Sequence, residues 1–304
     1  MASSRTFSRV LTAAALALAA LATACGAAAT ATNTPAPAAD AIHPILGTTV
    51  LRQGEQRVSF ILETASQLVS AQTASIVATH VDGSGTSQQT TARFDKWPYG
   101  TRGAYVTNLS FDEPGTWRLA IVVDQGGTEG ETELVVKVAD TAAVSEIGEI
   151  APFSNTKTLE SVGGDLSKLS SQHEPDPDLY RITVGKSLFS GRPSIVVFAS
   201  PAFCTSPTCG PQVETVTSLK EAHGGEADFI HVEIYDNPDE MKGNLSRGEL
   251  SPVLAEWGID AIADYRNESW TFVLDPEGRI EARFEGFATL EELEASLTAV
   301  LVGS

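Results

Sequence analysis

Apolar residues recur at every second position through the first half of the chain and at helical intervals through much of the second. Val58, Phe60 and Leu62 alternate with Arg57, Ser59 and Ile61, and Tyr105, Thr107, Leu109 and Phe111 follow the same period. Trp117, Leu119, Ile121 and Val123 share one face, and Leu134, Val136 and Val138 lie on a further strand. A period of two places alternate side chains on one side of a β-strand. Turn signals at Asp82-Gly-Ser-Gly85, Glu113-Pro-Gly115 and Gln125-Gly-Gly127 separate the runs. Short alternating strands at this spacing predict an antiparallel all-β sandwich over residues 47–139. Trp97, Trp117 and Tyr105 are core or corner residues in that reading, and His80 is a lone structural histidine.

From residue 194 strands and helices alternate. Ile195 to Ala199 is a continuous apolar run, which suits a strand covered on both faces. Gly210-Pro211 opens a helical pattern with Val213, Val216 and Leu219 on one face. Asp228 to Tyr235 reads as a second strand, and Leu250, Val253, Leu254 and Trp257 have helical spacing after Ser251-Pro252. Trp270 to Leu274 and Arg279 to Phe284 form a hairpin across Asp275-Pro-Glu-Gly278. Thr289 and Glu292 make a capping box for a last helix with Leu290, Leu293, Leu297, Val300 and Leu301 on its apolar face. Residues 140 to about 190 connect the two halves, with a short helix over Ile182 to Leu188. Residues 140–304 are therefore expected to form one α/β domain with an N-terminal extension.

The ends of the chain add a location. Arg5 and Arg9 precede an apolar run from Val10 to Leu21, too short for a comfortable membrane span. Leu21-Ala-Thr-Ala-Cys25 follows and resembles the bacterial lipobox, which implies a lipoprotein signal peptide over 1–24 and lipid attachment at Cys25. Residues 25–46, rich in Ala, Thr and Pro, read as a flexible tether. The expected product is anchored in the cell membrane by lipid and faces the extracytoplasmic side. A formal charge of −19 disfavours nucleic acid and anionic lipid as partners.

With Cys25 acylated, Cys204 and Cys209 are the remaining cysteines, separated by four residues. Outside the cytoplasm such a pair is expected to form a disulfide. The pair sits between a strand and a helix start, where unpaired amides stabilise thiolate. Cys209 lies closest to the helix, which favours it as the lower-pKa thiol; Cys204 lies nearer the end of the strand. Which sulfur attacks is left open.

The residues from about 148 to 302 resemble the thioredoxin superfamily. The carriers are the strand–cysteine loop–helix unit, Cys209-Gly-Pro211, and Thr271-Phe-Val-Leu-Asp-Pro-Glu-Gly-Arg-Ile280, which is similar to the hairpin of TlpA-type oxidoreductases. Ile147-Gly-Glu-Ile-Ala-Pro-Phe153 resembles the extended segment that begins TlpA-type and peroxiredoxin-type folds, and Phe111-Asp-Glu-Pro-Gly-Thr-Trp-Arg-Leu119 resembles a corner of immunoglobulin-like domains. The resemblance implies a thioredoxin-like domain of a bacterial lipoprotein, preceded by an immunoglobulin-like sandwich. Two departures matter. The usual resolving position holds Gln212, and the place of the family's cis-proline, a substrate-docking position, holds Ser269.

Three activities fit this loop. One is thiol–disulfide exchange with the thiols or disulfides of exported proteins, without a cofactor. Another is copper handling, since Sco-type chaperones pair a cysteine loop with a distant histidine; His231 and His223 are the candidates, although two methionines exclude a Met-rich site. Peroxidase chemistry is the third, on the echo between Ser206-x-x-Cys209 and the peroxiredoxin motif. A fourth reading needs no turnover: a stable disulfide stapling a binding lipoprotein.

Overall fold

The computed structural model describes residues 41–303 apart from 84–86, 99, 125, 128, 142, 264, 266 and 267. The expected signal peptide, Cys25 and the expected tether as far as residue 40 lie outside the described residues. No helix among the described residues is long and apolar enough to cross a membrane.

Strands β1 (His43–Leu46), β2 (Leu51–Arg52), β3 (Gly54–Glu63), β4 (Thr73–His80), β5 (Gln88–Lys96), β6 (Gly103–Phe111), β7 (Gly115–Asp124) and β8 (Glu129–Ala139) form the first half. They hydrogen-bond in the order β1-β3-β6-β5-β4-β7-β8-β2. The alternation did its expected work: Val58, Phe60, Leu62, Tyr105, Leu109 and Trp117 are all buried in one core. Each such side chain contributes about 1.5–3 kcal/mol through its removal from water. The sandwich expectation is modified in one respect. β5 pairs with both β4 and β6, so the strands form one continuous curled sheet rather than two separately bonded layers. The tether also ends earlier than expected, because His43–Leu46 pairs antiparallel with β3 from Glu63 to Phe60.

The second half contains the four-stranded sheet β10-β9-β11-β12, where β9 is Ser194–Ala199, β10 Asp228–Glu233, β11 Trp270–Leu274 and β12 Ile280–Glu285. β10 runs parallel to β9, β11 runs antiparallel to β9, and β12 runs antiparallel to β11. This order and polarity agree with the thioredoxin-like arrangement that the resemblance implies. All residues of β9 are buried, because helices and connecting segments cover both faces.

Among the described residues, five helices accompany this sheet: α1 (Val184–Ser187), α2 (Cys209–His223), α3 (Pro238–Met241), α4 (Val253–Glu256) and α5 (Leu290–Val302). Val213, Val216 and Leu219 of α2 pack with Leu293, Leu297 and Val300 of α5 in one core. The Thr289–Glu292 capping box forms as expected, saturating amides that would otherwise be orphaned. Leu290 is exposed, however, and Leu250 does not join α4. Leu250 instead bridges Tyr235 in extended conformation. Residues 148–151 run beside the hairpin: Gly148 N–H donates to Ile280 O at 2.8 Å and Ala151 N–H to Gly278 O at 2.9 Å.

The two halves meet through polar contacts. Both oxygens of the buried Glu285 carboxylate accept hydrogen bonds from Thr49, and the Val50 amide adds a third at 3.1 Å. Arg57 of β3 clasps Glu292 of α5 with two bonds, of 2.7 and 3.1 Å, and also donates to Phe287 O.

Candidate functional site

β9 delivers the chain to a loop that begins at Ser200 and ends where α2 starts at Cys209. Ser200 O accepts hydrogen bonds from Phe203 N at 3.0 Å and Cys204 N at 2.9 Å, which turns the loop back over the strand end. Cys204 and Cys209 are joined in a disulfide with a Cα–Cα separation of 5.9 Å. The two sulfurs are placed differently. Cys209 is fully buried at the first position of a fifteen-residue helix, whereas Cys204 is half-buried in the open part of the loop. The helix start therefore favours negative charge on Cys209, while access favours Cys204.

Below the loop lies a buried polar chain. Glu233, at the end of β10, accepts from Ser171 N at 2.8 Å, and Ser171 Oγ accepts from Ala202 N at 3.1 Å. Burial pushes the Glu233 carboxyl up to about 6, against hydrogen bonds from Ser200 and Ser171 that favour its ionised form. Nearby, Tyr180 Oη and His231 Nδ1 are 2.6 Å apart, and His231 Nε2 lies 3.0 Å from Ala199 O. Burial drives the His231 imidazole down to about 4, with the Ala199 carbonyl working in the opposite direction. Tyr180, His231 and Glu233 line a cavity of about 200 Å³. The histidines considered for copper are thus engaged elsewhere: both nitrogens of His231 have partners, and His223 lies against Glu226 and Glu294.

Beside the loop stands the segment entering β11. Ser206 Oγ donates to Glu268 Oε2, and Thr208 Oγ1 donates to the same oxygen at 3.3 Å. Ser206 Oγ is 3.9 Å from Cys204 Sγ. The next residue, Ser269, is buried; its hydroxyl donates to Gly286 O at 3.0 Å and its carbonyl accepts from Gly286 N at 2.8 Å. At Ser269, then, the chain continues the β11–β12 pairing, and the neighbouring Glu268 side chain meets the cysteine loop. Gln212 is also buried, and its Oε1 accepts from Ala288 N at 2.7 Å. It ties α2 to the start of α5.

The β half reaches the loop as well. Trp97, Gly100, Thr101 and Arg102, from the turn between β5 and β6, face Pro207 and Pro211 across a cleft of about 340 Å³.

Sequence reasoning found both cysteines but missed Glu268, Ser206 and Thr208 as one cluster, since they are brought together across 60 residues and more. Glu233 had a visible signal, an acid within the apolar strand Phe229-Ile-His-Val-Glu-Ile.

No family model and no curated protein matches the chain. Among solved structures it is similar to a thiol:disulfide interchange protein of the thioredoxin family from Chlorobium tepidum TLS, at 15% identity and a TM-score of 0.30, over 38% of this chain and 83% of that one. The fold reading rests on the strand order and polarity of the four-stranded sheet and on the disulfide at the β9–α2 junction.

Proposed function

We propose that the protein is an extracytoplasmic lipoprotein, anchored through Cys25, whose α/β domain exchanges disulfides with exported proteins. The observation that carries this reading is the asymmetry of the Cys204–Cys209 bond: one sulfur half-exposed, the other buried at a helix N-terminus. A partner thiolate attacks Cys204 Sγ, the S–S bond breaks, and Cys209 leaves as thiolate with its charge beside the α2 amides. A second partner thiol, as thiolate, then attacks its own mixed-disulfide sulfur and releases Cys204. The partner leaves oxidised and the loop takes up two electrons and two protons.

The β half belongs to this reading as an immunoglobulin-like module. Its support is the connectivity, with β1 antiparallel to β3 and β2 parallel to β8 around the pairs β3–β6, β4–β7 and β7–β8. Its β5–β6 turn forms one wall of the cleft beside Pro207, so it contributes surface to partner docking.

Single-cysteine variants test the exchange. Cys209→Ser, incubated at about pH 9 with an oxidised protein substrate, is expected to accumulate a mixed disulfide through Cys204, and Cys204→Ser is expected to accumulate little. Absence of mixed disulfide from both variants would leave the bond as a structural staple.

A further inference from the structure

The contact between Glu268 and the cysteine loop has a consequence for the chemistry of Cys204. Ser206 has one hydroxyl proton, and the structure directs it to Glu268 Oε2. Thr208 Oγ1 lies 2.5 Å from Ser206 Oγ and 3.3 Å from Glu268 Oε2. With its proton committed, Ser206 turns lone pairs toward Cys204 Sγ, 3.9 Å away. In the disulfide that sulfur has no proton to give. After reduction the Cys204 thiol can donate to Ser206, whereas a Cys204 thiolate would face an oxygen lone pair and a carboxylate beyond it.

We propose that Glu268 is a positioning residue that holds the reduced Cys204 as a protonated thiol, so that attack by the reduced loop on partner disulfides is slow at neutral pH and accelerates in alkali. The proposal deepens the exchange reading and depends on it for its biological sense, though not for its measurement. Among the described residues, other groups around the loop are arranged differently. Tyr265 donates its hydroxyl to Glu268 O at 3.3 Å, Arg102 stands across the cleft beside Pro207, and Glu233 reaches the loop from below through Ser171 and Ser200. Of these, Glu268 is the carboxylate wired to the hydroxyl next to Cys204 Sγ.

The test uses the reduced Cys209→Ser chain, in which Cys204 is the one thiol near the loop and no partner is required. Its alkylation rate with iodoacetamide is followed from pH 5 to 10, alone and with Glu268→Gln or Ser206→Ala. Gln keeps an oxygen acceptor for Ser206 but loses the charge, so a purely structural contact would survive the change. Removal of one like charge at this range is expected to lower the apparent thiol pKa by about 0.5–1 unit and to raise the rate at pH 7 about 3- to 10-fold. Ser206→Ala, which removes the acceptor while retaining the charge, is expected to shift the profile in the same direction by less. Superimposable profiles for Glu268→Gln and its parent would overturn the proposal. If Glu268→Gln loses the native near-ultraviolet dichroism, an unshifted Ser206→Ala profile overturns it instead. Failure of exchange reads out separately, as absence of mixed disulfide in chains whose alkylation profiles still differ.

Discussion

At the N-terminus of α2 a sulfur gains unpaired amides, and in the open loop before it a sulfur gains access. Cys209 has the first environment and Cys204 the second, so the leaving and entering roles divide between them. Sequence order placed Cys209 nearest the helix but could not report burial, because burial depends on the sheet beneath. The same limit hid the titration of Glu233 and His231 under the loop, although both residues stand out in an apolar strand. Glu233 is held near 6 against an ordinary value of 4.5, so the native state binds a proton that the unfolded chain has lost between these values. Its contribution is therefore full below about 4.5 and is lost as pH rises through 6. His231 has the opposite slope: lowered to about 4 from 6.5, it stays neutral in the fold while the unfolded chain protonates, and stability falls as pH drops through that window. Glu233→Gln removes one of two opposing terms. Relative to the parent, the variant is expected to lose about 2 kcal/mol between pH 6 and pH 4.5 in urea unfolding. Parallel profiles would contradict the assignment.

Among elements, the strands of the first half were legible because period-two alternation records burial directly, residue by residue. Their closure into one curled sheet was not, since β5 pairs through its backbone on both sides and the backbone has no sequence signature. His43–Leu46 escaped notice for a compositional reason: Pro44 and the Ala-rich residues before it read as tether, yet proline is tolerated on an edge strand. Leu250 shows the converse. Its helical spacing from Val253, Leu254 and Trp257 was fortuitous, because Ser251 N–H donates to Ile234 O at 2.8 Å and holds the chain extended until Pro252. In the site itself, the strand–loop–helix unit could be read from sequence, while the latch from Glu268 to Ser206 could not, because only the approach of β11 to β9 brings them together.

At the scale of the whole molecule, polar clasps join the β half to the α/β half. The Glu292 carboxylate is disfavoured by burial, but the Arg57 charge and its hydrogen bonds outweigh that and hold it below the usual range. Arg57→Ala leaves a largely buried carboxylate without its cation. A loss of about 1–3 kcal/mol is expected in urea unfolding, within the range for a partly screened pair. An unchanged midpoint would mean that the clasp contributes nothing to holding the halves together. The central claim is that the Cys204–Cys209 bond turns over, and its reduction potential tests this most directly. Equilibration of the intact chain in dithiothreitol redox buffers, with thiol trapping at each ratio, is predicted to give a value above about −300 mV, in the range of exchanging disulfides. A value below about −300 mV would identify a structural bond and contradict the account.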